Sequence, residues 1–80
     1  MIHKVETTIE VECLIHTFAK NVRMFRKKNG LSQHELAQLL ATSRQWISDV
    51  ERAKVPVRLE TIMKLAIVLR VKPEDLVHET

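Results

Sequence analysis

The run from Ser32 to Glu51, SQHELAQLLATSRQWISDVE, constrains this chain more than any other stretch. Ser32-Gln33-His34-Glu35 matches a capping box: the serine hydroxyl accepts from a backbone N–H three residues on, and the glutamate reaches back to the serine's own N–H. Thr42-Ser43 offers a second N-cap shortly afterwards. Leu36, Ala37 and Leu40 lie on one face at helical spacing, and Ile47 and Val50, flanked by Trp46, repeat the pattern. The residues predict two short helices joined by a sharp turn. No glycine stands at that turn, although a left-handed backbone costs least in glycine.

Helical spacing continues on both sides. Ile15, Phe18, Val22 and Phe25 form a stripe with Ala19 beside it, and Asn29-Gly30 ends that first helix. After a connection over residues 53–58 that includes Pro56, residues Leu59, Ile62, Leu65, Ala66 and Leu69 space out a fourth helix. Lys72-Pro73-Glu74-Asp75 predicts a short fifth, since proline is tolerated in a first turn and acids suit the positive end of a helix. One glycine and two prolines in 80 residues agree with a mostly helical chain. The expectation is an all-α domain of five helices over residues 14–80.

Residues 1–13 follow a different rule. His3, Val5, Thr7, Ile9, Val11 and Cys13 alternate with Lys4, Glu6, Thr8, Glu10 and Glu12, a period of two rich in β-branched residues. That pattern predicts a strand. No second strand is visible to pair with it, so an arm of this kind needs another chain, either its own twin in a dimer or a different protein. The alternatives are a disordered arm or an early start of the first helix.

Charge is segregated. In residues 1–13 Lys4 faces Glu6, Glu10 and Glu12, leaving −2; in residues 14–72 twelve Lys and Arg face Glu35, Asp49, Glu51 and Glu60, leaving +8; Glu74, Asp75 and Glu79 leave −3 at the end. A basic middle suits an anionic partner, and on charge alone an ordinary solvated surface explains it as well. Cys13 cannot form an internal disulfide, which fits a reducing cytoplasm. The start, Met1 to Glu6, has no basic region followed by an apolar one, and the longest wholly apolar run, Leu65–Leu69, is far too short to span a membrane. No signal peptide and no membrane partner are expected, and the expected location is cytoplasmic. His3, His16, His34 and His78 lack metal-ligand spacing, and there is no nucleophile–base pairing or glycine-rich phosphate loop. No metal, no cofactor and no enzymatic activity are expected.

Gly30-Leu31-Ser32-Gln33, Leu36-Ala37, Ser43-Arg44-Gln45-Trp46-Ile47-Ser48 and Glu51-Arg52, at these spacings, resemble the lambda-repressor-like helix-turn-helix family of the Cro/XRE type. The resemblance runs from about Phe18 to Val77. The portion SRQWISDVERAK…RLETIMKL looks like HipB-type antitoxins, which repress their own operon and bind a kinase toxin. Controller proteins of restriction-modification systems share part of it, notably an aromatic before Ile47-Ser48. Ala41, Ala53 and Arg70 stand where the family usually has glycine.

The resemblance implies a DNA-binding regulator, read as a homodimeric repressor of a palindromic operator, with a toxin as the added partner in the antitoxin version. A protein-interaction module that keeps the fold without DNA is the remaining alternative. In such a fold the third helix enters the major groove. Arg44, Gln45, Ser48 and Asp49 lie opposite Ile47 and Val50 and are the candidates for base contact. Arginine suits a guanine edge and glutamine an adenine edge, whereas Asp49 could accept from cytosine or pair with Arg44 or Arg52. Ser32, Gln33, Ser43, Lys54 and Arg58 are the candidates for phosphate contact, Gln33 also bracing the third helix. Arg26 and Glu51 match the family's structural ion pair between the first and third helices.

Overall fold

A computed structural model of the chain describes residues 4–79. Its elements are α1 (Lys4–Lys28), α2 (Gln33–Leu39), α3 (Arg44–Glu51), α4 (Leu59–Leu69) and one 3-10 turn, Pro73–Leu76. Every regular element among the described residues is helical, and none is a strand.

Two expectations are overturned. The alternating segment is not a strand: from Lys4 onward it is the first part of α1, and His3 lies outside the described residues. An α-helix satisfies each backbone N–H and C=O from within, whereas a lone strand leaves a row of them unpaired. No glycine, proline or asparagine interrupts the chain between Lys4 and Lys20 to stop the helix from growing back from its packed half.

Nor is there a fifth α-helix. Residues 73–76 make a single 3-10 turn, whose first N–H, that of Lys72, is capped by Asp75 Oδ2 at 3.0 Å. A tertiary tie holds the segment in this form: Nδ2 of the buried Asn21 of α1 donates to the carbonyls of Leu76 at 3.0 Å and His78 at 2.8 Å, with that of Asp75 at 3.3 Å. The domain is therefore four α-helices and a terminal turn.

The core is one cluster. Phe18 and Val22 of α1, Leu36 and Ala37 of α2, Ile47 and Val50 of α3, Leu65, Ala66 and Leu69 of α4 and Leu76 of the final turn are all buried against one another. Burying a side chain of the Val, Leu, Ile or Phe type stabilises by about 1.5–3 kcal/mol, so this cluster holds the elements in place. Beyond it the N-terminal half of α1 stands clear: Glu10, Val11, Glu12, Cys13 and Leu14 are exposed, and the molecule is 44 Å in its longest dimension.

All four helices end in the same way. At the end of α2 the Ala41 N–H donates to the Gln38 carbonyl at 3.2 Å and the Thr42 N–H to that of Ala37 at 2.9 Å. Gly30 and Leu31 close α1, Ala53 and Lys54 close α3, and Arg70 and Val71 close α4 with the same pair of bonds. This is the Schellman motif, which requires one residue in the left-handed conformation. Gly30 supplies it once; Ala41 (φ +54°), Ala53 (φ +57°) and Arg70 (φ +60°) supply it elsewhere. The turn between α2 and α3 thus keeps the geometry of a glycine turn in the absence of glycine.

Candidate nucleic-acid interface

α3 has one buried and one open face. Ile47 and Val50 are 0% and 1% exposed, which locks one face into the core. Arg44 and Gln45 on the other face are exposed, and Ser48 and Asp49 are half-buried beside them. The start of α3 is fixed by Ser43, whose Oγ accepts from the Trp46 N–H at 3.1 Å. Trp46 is half-buried and packs on the core, so its ring steadies the first turn of the helix.

α2 lies against α3 and opens on the capping box: Ser32 Oγ accepts from the Glu35 N–H at 3.0 Å, and Glu35 Oε1 accepts from the Ser32 N–H at 2.9 Å. The Ser32 N–H foremost, and the Ser32 hydroxyl after it, favour the ionised carboxylate and hold the Glu35 carboxyl below its ordinary pKa. Gln33, half-buried, donates through Nε2 to Glu51 Oε1 at 3.2 Å, tying the first residue of α2 to the end of α3.

Glu51 is also the partner of Arg26. Arg26 Nε donates to Glu51 Oε2 at 2.6 Å and Nη2 to Oε1 at 3.0 Å, while Nη1 caps the Leu31 carbonyl at 2.8 Å. The two side chains are 10% and 4% exposed. A buried two-pronged pair of this kind sets the angle between α1 and α3. Asn29 adds a second tie, its Nδ2 donating to the carbonyls of Phe25 at 2.8 Å and Leu69 at 3.1 Å, which joins the ends of α1 and α4.

On the outer edge Asp49 is engaged twice. Its Oδ1 accepts from Gln45 Nε2 at 3.0 Å and from Arg52 Nη2 at 2.8 Å. These bonds, the Gln45 one foremost, hold its carboxyl below the ordinary range. Of the two arginines weighed for Asp49 from the sequence, the structure pairs it with Arg52. Arg52 follows Asp49 by three residues, a spacing at which such pairs form along a helix.

The remaining candidates frame this edge. Ser32 and Ser43 are exposed at the starts of α2 and α3. Lys54 and Arg58 are exposed in the connection that follows α3. A cleft runs between the α2–α3 turn and α4, lined among others by Thr42, Trp46, Arg58, Glu60, Thr61 and Lys64. Among the described residues no group of His, Cys, Asp and Glu side chains is arranged to hold a metal ion, and no helix is long and apolar enough to cross a membrane.

The comparisons agree with this architecture. The family profile described as helix-turn-helix matches residues 22–76. The control protein C.SmaI of Serratia marcescens is 44% identical over 48 residues, which cover 60% of this chain and 57% of that protein's own length. The control protein C.BamHI of Bacillus amyloliquefaciens is 39% identical over 64 residues, 79% of each chain. Among solved structures, the restriction-modification controller protein C.AhdI of Aeromonas hydrophila superimposes with a TM-score of 0.72 at 37% identity, over 78% of this chain and 94% of that one. The matched span runs from the second half of α1 to the final turn and so contains the whole of α2 and α3. This chain belongs to the helix-turn-helix family of DNA-binding transcription regulators.

Proposed function

We propose that the protein is a homodimeric repressor that reads a palindromic operator through α3, acts in the cytoplasm and catalyses no reaction. The observation that carries this reading is the two-sided burial of α3: its inner face is sealed in the core while Arg44 and Gln45 stand open on the outer edge. Arg44 is assigned to a guanine edge and Gln45 to an adenine edge, the pairings their donors and acceptors favour. Ser48 lies on the same edge as a minor contact. Ser32, Gln33, Ser43, Lys54 and Arg58 are assigned to the phosphates, where hydroxyls, an amide, helix starts and cations all suit an anion.

Selection of bound sites from random duplexes gives the operator, and gel-shift titration then tests the assignment. Arg44→Ala is expected to relax preference at one base pair by about 1–3 kcal/mol, and Lys54→Ala to weaken all duplexes alike and lower the salt slope by about one. Unchanged base preference in Arg44→Ala defeats the reading. Binding that does not weaken as salt rises favours the protein-interaction alternative, because phosphate neutralisation releases counterions.

The likeness to the restriction-modification controller C.AhdI favours restriction-modification genes as the regulated target. The antitoxin version keeps the same DNA edge and adds a toxin. A kinase-like or nuclease-like toxin in the adjacent reading frame would carry it, and restriction and modification genes there would carry the controller reading.

A further inference from the structure

We propose that Asp49 is a positioning residue: anchored by Arg52, its carboxylate fixes which end of the Gln45 amide faces the DNA. This rests on the reading of α3 as the base-contacting helix.

An ionised carboxylate has only acceptors, so the end of the amide that meets it must be the NH2 group. Gln45 Nε2 lies 3.0 Å from Asp49 Oδ1, one helical turn along, so Oε1 is left as the outward acceptor with one N–H of Nε2 still free. An outward acceptor selects a base that offers an amino group in the major groove, and the free N–H beside it completes the match to adenine N6 and N7. Flipped by half a turn, the same amide would present donors outward and suit thymine O4 or guanine O6 instead.

Asp49 can do this without repelling the duplex because it is already compensated. Arg52 Nη2 donates to the same Oδ1 at 2.8 Å, and the Asp49 side chain is 30% exposed against 52% for Arg52. Both bonds fall on Oδ1, so the oxygen that steers Gln45 is itself fixed by Arg52, and any direct contact with cytosine would fall to Oδ2. The sequence allowed that contact; the hydrogen bonds give Asp49 a different role at the same edge.

The test compares base-preference profiles of the full chain, obtained by selection from random duplexes, for wild type, Asp49→Ala, Asp49→Asn and Gln45→Ala. Asp49→Ala should reduce a preference of about tenfold for an amino-bearing base at the Gln45 position to near parity, leaving the Arg44 position unchanged. Asp49→Asn, whose Oδ1 still accepts, should keep that preference. On the Gln45→Ala background, Asp49→Ala should change nothing further at that position. In the free protein, acid titration should move the Gln45 side-chain amide proton resonances together with the Asp49 carboxyl.

An Asp49→Ala profile identical to wild type overturns the proposal and leaves the function of α3 intact. So does loss of a cytosine preference at a pair that Gln45→Ala leaves untouched, since that is direct reading by Asp49. A flat amide titration overturns it independently of DNA. A wild-type chain that selects no sequence sinks the operator reading itself, and this proposal with it.

Discussion

At the level of single residues, three positions carry a conformation their side chains disfavour. Ala41, Ala53 and Arg70 hold φ between +54° and +60° because each closes a helix with the two bonds of a Schellman motif. A residue with a Cβ in that conformation costs about 1–2 kcal/mol. Glycine removes the cost but loses about 0.5–1 kcal/mol more backbone entropy on folding. Each of Ala41→Gly, Ala53→Gly and Arg70→Gly is therefore expected to stabilise the domain by a few tenths to about 1 kcal/mol, read as a higher urea midpoint at unchanged slope. Gly30→Ala is the mirror experiment. A Cβ built there meets nothing within 4 Å, so its cost isolates the backbone contribution. A gain at Gly30, or a loss at all three of the others, would show that the turns are not left-handed. These sites were legible only in part. The resemblance marked them as places where relatives carry glycine, but alanine and arginine say nothing of a positive φ by themselves.

The elements were read unevenly, for physical reasons. α2 and α3 announced themselves because Ser32, Glu35 and Ser43 are local signals whose partners lie three residues away. The N-terminal half of α1 misled because its β-branched alternation is a local pattern that tertiary continuity overrides. Val11, Ile15, Phe18 and Val22 already step by four, three and four, so the helical stripe reaches back into the supposed strand. Asn21 was silent in sequence, since its role depends on carbonyls more than fifty residues away. The pairing of α1 with α3 makes the sharpest demand on stability. Glu51→Ala would leave Arg26 buried and charged and strand the Gln33 amide, an expected loss of about 3–5 kcal/mol in urea denaturation. The double variant Arg26→Met/Glu51→Leu should recover much of that loss, because no bare charge remains. Recovery should be incomplete, since the Leu31 carbonyl loses the donor that Arg26 supplies. Full additivity of the two single changes would show that the pair is not coupled.

For the molecule as a whole, the proposed homodimer needs a surface that joins two copies. The segment expected to pair two copies as a strand is helical, and in the final turn Leu76 is wholly buried while Val77 beside it is partly open. A different surface takes their place in the dimer reading. Leu59, Met63 and Ile67, one turn apart on α4, are 75%, 46% and 74% exposed. α4 packs on α1 and the final turn, so this stripe is the side of the helix that the domain leaves uncovered. It reads alike in both directions about Met63, large and apolar at each step, and a two-fold axis brings each patch against an identical one. Two antiparallel α4 helices would set Leu59 of one copy against Ile67 of the other. The Glu60–Lys64 pair, at 2.7 Å and exposed, lies beside the stripe and leaves opposite charges at its margin. Met63→Glu and Ile67→Glu should therefore sediment as monomers at concentrations where the wild type is dimeric, with helical circular dichroism unchanged because neither residue belongs to the core. Operator affinity should fall steeply in both, as the half-sites lose their coupling, while binding to nonspecific duplex, set by phosphate charge, should change far less. Dimers of undiminished stability in both variants would remove α4 as the contact and turn attention to the exposed Val11 and Leu14 on α1, which line an apolar groove with Val57, Ile62 and Val77.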